Sequence, residues 1–101
     1  MKLKYKNEII DVTKTANKTI LKYRFQKLYY AIIIENCNRY SSIANKQRID
    51  IAMTDDDLTI LSYKRDMHEN TFFENTDATT TILLPLNSIT NLEVGQRFVL
   101  E

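Results

Sequence analysis

The sequence predicts a mostly β fold: a single small antiparallel β-sandwich or barrel with one or two short helices. Three observations carry this expectation. Apolar and β-branched residues run in short segments with period-two alternation, the pattern of strands buried on one face. The chain holds one glycine, Gly95, and one proline, Pro85, so turns fall to Asn and Asp, which tolerate left-handed backbone and bond their own main chain. Those residues stand between the apolar runs, at Asn7, at 36–38, at 55–57, at 75–77 and at Asn87.

Taken in order, Lys2–Lys6 and Glu8–Val12 read as a short hairpin about Asn7, with Leu3 and Tyr5 on one face and the lysines on the other. Thr15–Leu28 is ambiguous, because Leu21, Phe25 and Leu28 fit a helical stripe while Leu21–Gln26 also alternates. A short helix from about Ala16 is the preferred reading. Ala31-Ile32-Ile33-Ile34 is apolar on both faces, as in a central strand covered on both sides. Ile49, Ile51 and Met53 alternate with Asp50 and Ala52, and Leu58, Ile60 and Ser62 with Thr59, Leu61 and Tyr63. The two runs predict an antiparallel hairpin closed at Thr54–Asp57. Lys64–Asn70 reads as charged loop, Thr71-Phe72-Phe73 as a short strand, and Ala78–Leu84 as a strand stopped by Pro85. A helical turn is expected over Asn87–Leu92, and a last strand over Arg97–Leu100.

At 101 residues, 44% hydrophobic and 27% charged, residues 1–101 make one domain with an ordinary globular composition. No apolar run approaches the roughly 18 residues that span a bilayer, and Met1–Lys6 is followed by no apolar leader core. The single cysteine, Cys37, allows no internal disulfide, which fits a reducing compartment. A cytoplasmic protein without membrane association is expected. Residues 1–48 carry 11 Lys/Arg against 3 acids, and residues 49–101 carry 3 against 10. Interleaving of the two halves would mix these charges on one surface, with opposite charges facing across paired strands. A basic face for nucleic acid or an acidic partner is the less favoured reading, since the basic residues are scattered. Self-association through complementary patches is a third.

Candidate chemistry is sparse. Asp55-Asp56-Asp57 lacks the alternating ligands, glycine and later glutamate of a calcium loop, and reads as a solvated turn. Cys37 and His68 are the only thiol and imidazole, with nothing in their spacing to make them a catalytic pair and too few soft ligands for zinc. No metal and no cofactor is expected. Six tyrosines interleave with Lys and Arg as in single-strand nucleic-acid platforms, but β-rich domains use tyrosine widely at core edges and no RNA-recognition motif is present.

Tyr30-Ala31 with Ile32–Ile34, then Asn36-Cys37-Asn38, Ile49-Asp50-Ile51, Asp55, Leu84-Pro85 and Val94-Gly95 follow one another in a familiar order. In this the chain resembles the prokaryotic family known as domain of unknown function one hundred and ninety-two, in its short Gram-positive form. The resemblance implies a compact β fold and no particular activity. Relatives of that kind usually carry Gly-Leu-Met-Phe where this chain has Lys22-Tyr23-Arg24-Phe25. Their His-Thr-Phe-Phe-Met run falls on Ser41-Ser42-Ile43-Ala44-Asn45, and the acid of their late Leu-Glu-Leu-Pro falls on Leu83. A family site at those positions would be lost here, with Asp50 its remaining polar member.

The reading is therefore a non-enzymatic β-domain that binds a partner protein or small molecule, or serves a structural role. The alternative is a small-molecule or enzymatic site near Asp50, Cys37, Ser41 and Ser42. An electrostatic module for nucleic acid or an acidic partner comes third.

Overall fold

A computed structural model describes residues 1–16, 27–42 and 48–101. Within them nine strands form a seven-stranded sheet and a two-stranded ribbon. The alternation at the start of the chain builds a hairpin of β1 (Lys2–Tyr5) and β2 (Glu8–Ala16), with Leu3 and Tyr5 buried and Lys2 and Lys4 exposed. Lys6 makes the turn in the left-handed region, at φ 52°. β3 (Ala31–Glu35) is buried on both faces over Ala31 to Ile34, as expected of a central strand. It pairs with β2 on one side and with β8 (Thr80–Pro85) on the other. β5 (Ile49–Thr54) joins the far edge of β8 and forms a hairpin with β6 (Ile60–Met67). β9 (Val99–Leu100) adds to the outer edge of β1, giving the order β6-β5-β8-β3-β2-β1-β9. β4 (Arg39–Ser41) and β7 (Phe72–Glu74) form the ribbon.

The mostly β expectation holds, and three of its details are corrected. β2 and β3 pair in parallel, so the sheet is not wholly antiparallel. Parallel neighbours need a crossover of about a dozen residues, and the chain between Ala16 and Ala31 is long enough to supply one. No helix occurs among the described residues. The helix expected from about Ala16 lies outside them, except that Thr15 and Ala16 belong to β2. The helical turn expected over Asn87–Leu92 is an irregular loop. There the backbone groups bond to distant side chains rather than to one another: the N–H groups of Asn87 and Thr90 donate to Asp50 and Glu8, and the carbonyls of Ile89, Thr90 and Asn91 accept from Arg65 and Tyr5.

The large sheet curls into a half-barrel rather than stacking as a sandwich. Its two ends are tied by backbone bonds between the approach to β9 and the approach to β6. Gly95 N–H donates to Ile60 O, Ile60 N–H to Gln96 O, and Phe98 N–H to Leu58 O. Gly95 adopts φ 90° at this point, a conformation that side chains other than hydrogen rarely allow.

Strand alternation divides the apolar residues between two cores. The concave face holds Leu3, Tyr5, Ile33, Ile60, Ile82 and Phe98 among others, with the Tyr5 and Phe98 rings 5.0 Å apart. The convex face holds Ile32, Ile34, Cys37, Tyr40, Ile51, Met53 and Leu83, with Phe73 of the ribbon packed against them. Residues 86–95 form a strap across one end of the half-barrel and send Ile89 and Leu92 into the concave core. The strap is pinned by Tyr5, whose hydroxyl donates to Asn91 O at 2.7 Å and accepts from Glu93 N–H at 3.0 Å. Glu8 accepts from Thr90 N–H and Oγ1, and Lys6 pairs with Glu93 at 2.9 Å. No helix among the described residues is long and apolar enough to cross a membrane.

Replacing Tyr5 with Phe keeps the ring contact and removes both strap hydrogen bonds. We expect a loss of about 1–3 kcal/mol in urea unfolding, with faster amide exchange confined to residues 86–95. Unchanged exchange there would show that the phenol does not hold the strap.

Candidate functional site

Among the described residues the end of the half-barrel away from the strap is open. Strand register sets the two ends: Thr54, Thr80, Glu35 and Ala16 align at the open end, whereas Ile49 faces Pro85 near the strap. On three neighbouring strands the concave face changes from apolar to polar as it nears this opening. Val12 is followed two residues later by Lys14, Ile33 by Glu35, and Ile82 is preceded by Thr80. The result is a cavity of about 380 Å³, in the range of small-molecule pockets. Ile33, Leu58 and Leu100 line it with apolar surface, and Lys14, Glu35, Asn36, Asp56, Thr79 and Thr80 supply its polar groups.

The turn between β5 and β6 builds one wall. Asp55 folds back so that its Oδ1 accepts from the N–H groups of Asp57 at 2.9 Å and Thr59 at 3.0 Å. Its main chain closes the same turn, with Leu58 N–H donating to Asp55 O. Asp56, the next residue of the turn, lines the cavity. Leu58 is held at φ 64°, an uncommon conformation for a bulky side chain, which costs roughly 1 kcal/mol or more and is concentrated at binding and switch regions. No thiol, imidazole or serine hydroxyl belongs to the lining. Lys14 and Glu35 lie 3.8 Å apart. The arrangement can hold an amphiphilic small molecule.

The residues singled out from sequence lie elsewhere and do not converge. Asp50 is wholly buried near the strap end, opposite an extra residue in β6. Its Oδ1 accepts from Asp66 N–H at 2.8 Å, and its Oδ2 accepts from Asn87 N–H at 2.9 Å and Arg65 Nη1 at 3.2 Å. The second nitrogen of Arg65, Nη2, donates to Ile89 O and Thr90 O, at 2.6 Å each. Cys37 is in the convex core, on the other face of the sheet from Asp50. Its thiol donates to Arg39 O, and its carbonyl accepts from Thr81 Oγ1 at 2.8 Å. Ser42, also buried, donates to His68 O at 2.6 Å and accepts from Thr71 N–H at 2.9 Å, joining the end of β4 to the approach to β7. Ser41 pairs with Phe72 in the ribbon. Residues 43–47, where the resemblance would place the rest of a site, lie outside the described residues. Leu83 is buried in the convex core. His68 is exposed, 3.7 Å from Asp66. Among the described residues no three His, Cys, Asp or Glu side chains gather as metal ligands.

Sequence reading missed the open end altogether. The signal was the apolar-to-polar change along one face of three strands, and it becomes visible only when the strands are in register.

Several basic residues of the first half meet acids of the second. Lys6 pairs with Glu93, Arg39 with Glu74 at 3.9 Å, and Arg48 with Asp66. Lys2 pairs with Asp11 within the first hairpin. The hydrogen-bonded guanidinium of Arg48 holds the Asp66 carboxyl below its ordinary value of 3.8.

The fold and its open end define the class: a small β half-barrel, strapped at one end and open to a pocket at the other. No family model and no curated protein matches the chain. Among solved structures it is similar to a protein of Sinorhizobium meliloti 1021 described only provisionally as a transcription regulator. The TM-score is 0.76 over 97% of this chain and 89% of that one, at 9% identity. The likeness shows that the two share a fold.

Two outcomes are expected. Replacing Asp50 with Ala leaves Arg65 and two backbone N–H groups without their acceptor. It should cost about 3 kcal/mol in urea unfolding, whereas Asp50→Asn, which keeps an acceptor, should cost less. A neutral Asp50→Ala would contradict the structural role. Asp66 has a lower carboxyl pKa folded than unfolded, so its stabilisation is present above the unfolded value of 3.8 and is lost as pH falls below it. Asp66→Asn should therefore flatten the decline of the urea midpoint between about pH 5 and pH 3.

Proposed function

We propose that the protein is a non-catalytic binding module whose ligand enters the open end of the half-barrel. One observation carries this reading. Asp50 near the strap and Ser42 at the end of β4 are occupied in holding the fold. At the open end, by contrast, polar groups and the apolar side chains of Ile33, Leu58 and Leu100 together line a cavity of about 380 Å³. Mouths of small β-barrels are preferred ligand sites for this reason: strand ends supply a few convergent polar groups around an apolar interior. The left-handed Leu58 on the cavity wall supports the same reading, since strained backbone gathers at such sites.

The provisional description of the Sinorhizobium meliloti protein favours a regulatory use of the bound ligand, and the shared fold is the ground for carrying it over. The resemblance to domain of unknown function one hundred and ninety-two is proposed as distant kinship, with Asp50 retained for its structural work. Direct nucleic-acid binding is the weaker reading, because Lys6, Arg39, Arg48 and Arg65 are each engaged by an acidic side chain.

The test uses hexanol, a neutral amphiphile small enough for the cavity, followed by two-dimensional amide NMR. Shifts should concentrate at Ile33 to Asn36, Asp56 to Leu58 and Thr79 to Thr80. Leu58→Asn suits the left-handed backbone but removes apolar wall, and should weaken binding roughly three- to tenfold. Shifts scattered over the surface, or none at saturating hexanol, would sink the proposal.

A further inference from the structure

We infer that the ligand of the open end is a small organic cation: an amine carrying a short apolar body. This rests on the proposed binding role of the cavity and names the chemistry that would fill it. Among the described residues three charged side chains line the opening: Lys14, Glu35 and Asp56. Lys14 Nζ lies 3.8 Å from Glu35 Oε2, so its charge is already answered inside the site. Asp56 has no ion-pair partner among the described residues. It stands in the turn that Asp55 closes by accepting from two N–H groups, and it lines the cavity. The described part of the lining therefore carries one uncompensated negative charge beside apolar surface from Ile33, Leu58 and Leu100.

An ammonium group near Asp56 gains attraction from its carboxylate, and its N–H donors can meet the oxygens of Asn36, Thr79 and Thr80. A carboxylate ligand would be repelled by Asp56, with the charge of Lys14 already answered by Glu35. A neutral ligand would feel neither effect. The acids at this opening are solvated, so the discrimination is modest, roughly three- to tenfold at low salt, and shrinks as salt screens it.

The test compares three probes with the same six-carbon chain, namely hexylammonium, hexanol and hexanoate, by amide NMR titration of the whole chain at pH 7 and low salt. The expected order is hexylammonium, then hexanol, then hexanoate, with all shifts centred on the residues of the opening. Asp56→Asn should bring hexylammonium binding close to that of hexanol. Glu69→Gln, an exposed acid outside the lining, should leave the order intact and so exclude a general charge effect. Equal binding of the three probes, a preference for hexanoate, or a preference that survives Asp56→Asn would overturn the cation assignment while leaving the pocket standing. Absence of all three from the opening would remove the binding role itself.

Discussion

The buried carboxylate of Asp50 is the constraint on which much of the architecture depends. Burying an ionised group is costly unless it is paired and hydrogen-bonded, and here it receives a guanidinium and two backbone N–H groups. Each donor belongs to a feature that the carboxylate helps to anchor. The Asp66 N–H comes from the irregular point of β6, where an extra residue breaks the ladder and Asp66 adopts φ 57°. The Asn87 N–H comes from the start of the strap, at φ 60°. Arg65 links the carboxylate to the strap's middle through Ile89 O and Thr90 O. From there the chain runs on to β9, which closes the half-barrel. A single acid thus sets the bulge, seats the strap and indirectly positions one wall of the open end.

The three middle strands β5, β8 and β3 serve two cores at once, which explains how a chain of 101 residues fills both sides of a sheet. The strap covers the concave side and the β4–β7 ribbon faces the convex side. Polar residues take their places by the same division. Ser42 fastens the ribbon's outgoing and returning strands, and Thr81 ties β8 to the turn after β3 through Cys37 O.

Much of the fold was legible because local pattern and burial agreed. Ala31 to Ile34 announced a two-faced central strand, and the β5–β6 hairpin showed in its alternation. What stayed hidden depends on partners distant in sequence. β4 spans only Arg39–Ser41 and pairs with residues 72–74, too short a run to show a period. Lys64 to Met67 read as loop because the bulge at Arg65 and Asp66 interrupts the alternation. Asn87–Leu92 has the composition of a helical turn, but side-chain anchors override that preference. The candidate site suffered most. Asp50 and Cys37 stood out as rare polar groups beside apolar runs, and Ser42 through the resemblance, yet each holds the fold together. Lys14, Glu35 and Thr80 look ordinary alone and become a set only across three paired strands.

The edge-to-edge closure has a kinetic consequence. The bonds joining residues 95–98 to 58–60, and those joining Lys2 to Glu101, bring together segments far apart along the chain. Loop closure of that kind is slow, because entropy is lost before the contacts form. The β1–β2 and β5–β6 hairpins can form from near neighbours, but β9 has no edge to join until β1 is in place. The strap likewise has no anchors until Tyr5, Glu8, Asp50 and Arg65 have gathered. Assembly therefore ends at the C-terminal segment, and the pocket, which takes part of its wall from Leu100, is among the last features of the molecule to exist.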